Sequence, residues 1–120
     1  MQIGGFVSEM GTTADTVRYY MELHLLKPAL VRGRYFFAEK EVMDFRAVTQ
    51  LKQWGLAMKE IQRLFGYKAE SGCGTADLLA FARTVLLERL QAIDARAAEL
   101  DRQRTQVLEN LAEIEELITK

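Results

Sequence analysis

The apolar positions of this chain fall into two unequal parts: a run of short clusters separated by turn residues, then one helical period that continues to the C-terminus. In the first part Ile3, Phe6, Val7 and Met10 keep helical spacing and stop at Gly11, a good terminator. Gly4 and Gly5 weaken the start of that helix by about 1 kcal/mol each relative to alanine if they are interior. Thr12 or Thr13 is placed to cap a second helix, which runs through Arg18-Tyr19-Tyr20 to about Glu22. Leu25 and Leu26 then return the chain to the core, and Pro28 prevents helical continuation. Two short helices joined at a glycine turn predict a helix-turn-helix. From Ala29 to Phe37 a turn at Arg32-Gly33-Arg34 followed by aromatic residues predicts a small β-hairpin, or wing. Val42, Phe45, Val48 and Leu51, with Lys52 after them, predict a helix from Glu39 to near Trp54-Gly55. A fourth helix is expected from about Met58, with Ile61, Leu64 and Phe65 inward and a stop at Gly66. Residues 68–75 are polar, contain Gly72 and Gly74, and read as a linker.

The second part has the cleanest pattern. Leu79, Ala82, Leu86, Leu90, Ile93, Ala97, Leu100, Arg104, Val107, Leu111, Ile114 and Ile118 alternate in steps of three and four, the signature of a coiled-coil seam. Such a helix is about 65 Å long at 1.5 Å per residue, and its apolar stripe requires a partner. No other predicted helix matches that length, so the expected partner is a second copy. Arg104 is the single charged residue on the ladder. It either fixes register or snorkels its guanidinium to water. The expected domains are therefore 1–67, a linker at 68–75, and a dimerisation helix at 76–120.

Composition changes this picture little. Hydrophobic residues are 49% and charged residues 28% of the 120, which is globular composition. The single proline permits long helices. No apolar run is long enough for a membrane span and no signal-peptide pattern opens the chain, so a cytoplasmic location is expected. Net charge is −1, but it is unevenly spread: nine Lys/Arg against seven Asp/Glu up to Tyr67, then seven against ten. The small basic excess lies in the half that carries Thr16-Val17-Arg18-Tyr19-Tyr20, where a cation, two rings and a hydroxyl share one short helix. That set suits docking on phosphate and presenting side chains to a DNA groove. An enzyme has little to work with: one histidine, one cysteine, no paired carboxylates around a cleft, no phosphate loop and no metal cluster. No cofactor is expected.

Ile3-Gly4, Thr16-x-Arg18-Tyr19-Tyr20, Leu25-Leu26-x-Pro28 and Gly55-Leu56-x-x-x-Glu60-Ile61 resemble, in order and spacing, the characteristic stretches of the MerR family of bacterial transcription regulators. The resemblance implies a mainly α chain: a winged helix-turn-helix DNA-binding domain followed by a long C-terminal helix that forms an antiparallel dimeric coiled coil. It implies a homodimer that binds double-stranded promoter DNA at a palindromic operator, distorts it, and acts on RNA polymerase indirectly. Carried over residue by residue, Arg18 contacts phosphate or a base edge, while Tyr19 and Tyr20 contact backbone or pack at the groove. Thr13 and Thr16 lie at the entering end of the helix, and Lys59 reaches phosphate. The seam is carried by Leu86, Leu90, Ile93, Ala97, Leu100, Val107, Leu111 and Ile114.

Three positions depart from the family pattern. Asp15 stands where relatives often carry a base; a carboxylate repels phosphate but can accept from cytosine N4. The usual wing order Gly-Tyr-Arg-x-Tyr is here Gly33-Arg34-Tyr35-Phe36-Phe37, which leaves open whether Arg34 or Tyr35 touches DNA. His24 replaces the usual glycine after the second helix. Cys73 lies just ahead of the long helix, where metal-sensing relatives have one cysteine. It is an inert linker residue, a reactive thiol or a metal ligand, and one thiolate per chain falls short of a closed site. Tyr35, Phe36, Phe37 and Trp54 either line a pocket for a small apolar ligand or pack the wing. The alternative to DNA binding is a coiled-coil protein-interaction adaptor, favoured by the near-neutral charge.

Overall fold

A computed structural model describes residues 1–72 and 74–120; the reading of Cys73 lies outside the described residues. Among the described residues, five α-helices and one hairpin follow in the order α1 (Ile3–Met10), α2 (Ala14–Glu22), β1 (Ala29–Val31), β2 (Arg34–Phe36), α3 (Glu39–Gln53), α4 (Met58–Ser71) and α5 (Ala76–Thr119). Met1–Ala82 forms one compact unit and Arg83–Lys120 a second.

The core of the first unit is aromatic. Phe6 of α1 stacks on Phe37 with centroids 4.5 Å apart and meets Phe45 of α3 edge-on at 5.8 Å. Tyr20 of α2 closes the cluster, 5.7 Å from Phe45. Val17, Leu25, Leu26, Val42, Val48, Leu56 and Ile61 fill the space around these rings. Offset and edge-on pairs of this kind are worth about 0.5–1.5 kcal/mol beyond the area they bury. The hairpin is tied down next to this cluster, since the Phe37 backbone N–H donates to the Met1 carbonyl at 2.6 Å.

Three helices of this unit end the same way. After α1, Thr12 N–H reaches back to the Val7 carbonyl over Gly11, which has φ 65°. After α3, Leu56 N–H reaches Leu51 over Gly55 at φ 85°. After α2, Leu25 N–H donates to the Tyr20 carbonyl at 2.9 Å and His24 N–H to Met21 at 3.0 Å, with His24 itself at φ 61°. This is the Schellman closure, which normally places glycine in the left-handed position. The replacement of glycine by His24 therefore leaves the turn intact and loads it with strain, roughly 1–2 kcal/mol for a residue with a Cβ. Because glycine also adds unfolded-state entropy, His24→Gly is expected to raise stability by about 0.5–1 kcal/mol, read as a higher denaturant midpoint at unchanged slope. A lower midpoint would show that the imidazole makes a contact worth more than the strain.

Helices α3 and α4 start on the same device. The Glu41 carboxylate accepts from Ala38 N–H at 2.8 Å, and the Glu60 carboxylate from Ala57 N–H at 2.8 Å. Each supplies the reach-back half of a capping box, so an alanine N-cap suffices. Helix α4 does not stop at Gly66 as its sequence suggested. It continues to Ser71, so residues 68–71 of the polar stretch are helical. Two contacts sustain the extension: Tyr67 stacks on Phe81 at 4.4 Å, and Lys68 bonds Asp44 of α3 at 3.0 Å. Phe65, expected inward, is only half-buried.

Helix α5 opens with Leu78 N–H capped by Thr75 Oγ1 at 3.2 Å. From Arg83 onward it forms the second unit. Leu86, Leu90, Ile93, Leu100, Val107, Leu111 and Ile114 are all exposed there, with Leu100 at 55%. Bidentate bonds from Arg102 hold the Glu99 carboxyl below the usual carboxylate range and raise the Arg102 guanidinium, one helical turn away.

Candidate nucleic-acid interface

The side chains on α2 separate cleanly. Val17 and Tyr20 are buried, while Asp15, Arg18 and Tyr19 point outward. Thr13 is the N-cap: its Oγ1 accepts from Thr16 N–H at 3.2 Å, and its hydroxyl donates to Thr16 Oγ1 at 2.9 Å. These two threonines fix the first turn of α2. Thr12 plays no capping role, which settles the choice between the two.

Tyr20 is not a groove residue. It is 4% exposed, packs on Phe45, and its hydroxyl accepts from Lys52 Nζ at 3.3 Å. Of the expected contact set it belongs to the core. The helix period explains this: Tyr20 falls three residues after Val17, on the same buried face. Tyr19, at 49% exposure, is the tyrosine that α2 presents outward.

The hairpin brings a second set of side chains beside α2. β1 and β2 pair antiparallel with Leu30 opposite Tyr35 and Val31 opposite Arg34. The two connecting residues, Arg32 and Gly33, have φ of 51° and 78°, the requirement of a type I′ turn. Arginine is a costly choice at the first of these positions, and the turn keeps a cation at the tip of the wing. Tyr35 lines a groove of about 480 Å³ with Arg18, Met21 and Glu22. Arg34 and Tyr35 together border a neighbouring concavity with Arg18 and Gln2. Tyr35 thus lies beside α2, and Arg34 borders a concavity shared with Tyr35 and Arg18. Sequence reasoning did not single out Arg32, although a cation beside glycine at a hairpin tip is a readable sign.

Arg18 and Asp15 form an exposed pair at 3.5 Å. A pair this open contributes little to stability. Lys59 is exposed in the first turn of α4. A cation at a helix N-terminus opposes the dipole. The aromatic set does not form one pocket. Phe37 is 1% exposed in the core, whereas Tyr35, Phe36 and Trp54 lie open at the surface. No helix among the described residues is long and apolar enough to cross a membrane.

A winged helix-turn-helix that brings Arg18 of α2 beside Arg34 and Tyr35 of the wing, with Tyr19 and Arg32 also exposed, has the make-up of a DNA-binding class. The family model described as MerR HTH family regulatory protein matches residues 1–68, more than half of the chain, and the chain belongs to that family. It is similar over 89% of its length to the crystal structure of a MerR family transcriptional regulator from Listeria monocytogenes, at 19% identity and TM-score 0.68, covering 83% of that chain. It is also similar over 91% of its length to EcmrR in a cryo-EM structure of the EcmrR-DNA complex in EcmrR-RPo, at 27% identity and TM-score 0.64. There it spans 39% of the larger chain. A search of curated proteins gives no match. The protein is a DNA-binding transcription regulator.

Proposed function

We propose that the chain acts as a homodimer that places two winged units on the two halves of a palindromic operator and distorts the DNA between them. The observation that carries this reading is the exposed ladder on α5: Leu86, Leu90, Ile93, Ala97, Leu100, Val107, Leu111 and Ile114 form one apolar stripe, interrupted by a charge only at Arg104, on a 44-residue helix. A stripe of that length is stable in water only when covered. Charge favours antiparallel pairing. Glu109, Glu113, Glu115 and Glu116 crowd the last turns of α5, and parallel strands would set each beside its own copy. Antiparallel pairing about Leu100 brings them instead toward the segment that carries Arg83 and Arg89 with the single acid Glu88.

Such a dimer joins two α2 helices in one particle. Successive half-sites on one DNA face lie about 34–36 Å apart. Where the separation of the helices and the half-site spacing differ, the duplex is bent or twisted at a cost of roughly 1–6 kcal/mol, offset by added contacts. EcmrR was captured with DNA in EcmrR-RPo, which supports DNA binding by this chain; in the proposal it acts on transcription through DNA shape, with polymerase engaged indirectly. Selection from a random DNA pool followed by gel shift tests the reading. The selected sites are expected to be inverted repeats, and inserting about five base pairs, half a turn, between the halves is expected to abolish the shift. Selection of single, unrepeated motifs would overturn the palindromic reading.

Asp15 supplies a further expectation. Asp15→Asn removes a carboxylate from the phosphate-facing side and frees Arg18, so affinity for random-sequence duplex at low salt is expected to rise about two- to fivefold. A fall on random-sequence DNA would mean that Asp15 positions Arg18 instead of competing for it.

A further inference from the structure

A cavity of about 240 Å³ opens where the exit of α2, the start of α3 and the end of α4 meet, all within the first unit. Its floor is apolar, formed by Leu25 and Phe65, and its rim carries Lys27, Lys40 and Lys68 with Asp44 as the one carboxylate among the described lining residues. Asp44 is already engaged: Lys68 Nζ sits 3.0 Å from its carboxylate, and the Asp44 side chain is 10% exposed. Lys27 and Lys40 have no ion pair among the described residues. Three ammonium groups against one carboxylate leave a surplus of two positive charges over a sheltered apolar floor, in a chain whose net charge is −1.

Like charges held together repel, and partial shelter from water strengthens that repulsion. An anion placed between Lys27 and Lys40 relieves it, and the Leu25–Phe65 floor takes an apolar body. At about 30 Å³ per water the space holds roughly eight waters, enough for a ligand of about ten non-hydrogen atoms. His24 lies on the same rim and adds an imidazole hydrogen-bonding group. We infer that this cavity is a binding site for a small organic anion, a carboxylate or phosphate head on an aromatic or branched aliphatic body. The site uses none of the residues proposed to touch DNA, and its test needs no DNA.

Isothermal titration of the full chain with benzoate, phenyl phosphate, benzyl alcohol, acetate and inorganic phosphate is the experiment. Benzoate or phenyl phosphate is expected to bind with a dissociation constant on the order of 0.1–1 mM, the range of a good fragment. The neutral alcohol and the two anions without an apolar body are expected to bind at least about tenfold more weakly. Lys27 also borders the groove beside α2, so the informative variant is Lys40→Gln, at an exposed residue without an ion-pair partner. It is expected to weaken benzoate or phenyl phosphate about five- to tenfold, with Lys40→Arg retaining most of the affinity and with circular dichroism and melting unchanged in the absence of ligand. Equal binding by benzyl alcohol, equal binding by acetate or inorganic phosphate, no binding by either aromatic anion, or full binding by Lys40→Gln would each overturn the site.

Discussion

Leu100→Asp is expected to convert a dimer into monomers and to weaken binding to an inverted-repeat operator by a factor of about 10²–10⁴, the avidity lost when two sites are no longer linked. Leu100 lies midway along the ladder from Leu86 to Ile114. In an antiparallel pair a midpoint residue lies close to its own copy, so one substitution removes two leucines from the seam and puts two carboxylates there. Each leucine contributes about 1.5–3 kcal/mol when fully buried, and an unpaired charge at such a site costs several kcal/mol more. Together these raise the dimer dissociation constant more than a thousandfold. The winged unit has its own core, built on Phe6, Phe37 and Phe45, so half-site binding should survive at the affinity of one module. Light scattering gives the mass and anisotropy the affinity. An unchanged mass would remove the seam from α5.

Arg18→Ala is expected to cost about 1–3 kcal/mol per half-site, a loss of roughly 5- to 150-fold for each. Arg18, with Tyr35, is common to the α2 groove and to the concavity bordered by Arg34. Its guanidinium is exposed and weakly held by Asp15, so its removal leaves the core untouched and the melting temperature nearly constant. If Arg18 reads a base, specificity relaxes at one position per half-site. If it holds phosphate, all sequences weaken alike and the salt slope falls by about one. Tyr20→Phe is a useful contrast. It deletes the acceptor for Lys52 and is expected to lower stability while leaving the salt slope alone. An Arg18→Ala protein that binds as well as the parent would sink the role given to this residue.

The helical pattern was legible wherever one face meets a core. Phe6, Val17, Val42, Phe45, Val48 and Ile61 stand at helical spacings and are buried, and the starts of α3 and α4 follow from a reach-back glutamate three residues on. What pattern alone missed was set by contacts between segments far apart in sequence. Gly66 looks like a stop, but Lys68 finds Asp44 and Tyr67 finds Phe81, and these carry α4 one turn further. Tyr19 and Tyr20 look equivalent as a pair of aromatic residues, and only the phase set by Val17 assigns one outward and the other to the core. His24 was readable as a departure from the family pattern. The bonds from His24 and Leu25 show that the departure changes strain and not shape. The surplus of lysines around Asp44 was invisible to local reading, because Lys27 lies in the connection after α2, Lys40 in α3 and Lys68 in α4.

The central claim, a DNA-binding dimer, is tested most directly by sedimentation of the full chain with a selected inverted-repeat duplex across a salt series. The account predicts two chains per duplex and an affinity that falls steeply with salt, with a log–log slope of about −4 or steeper for at least four to five neutralised phosphates shared by the two subunits. One chain per duplex would contradict the dimer. Absence of binding even at low salt would contradict DNA recognition itself and leave the coiled-coil adaptor as the better description.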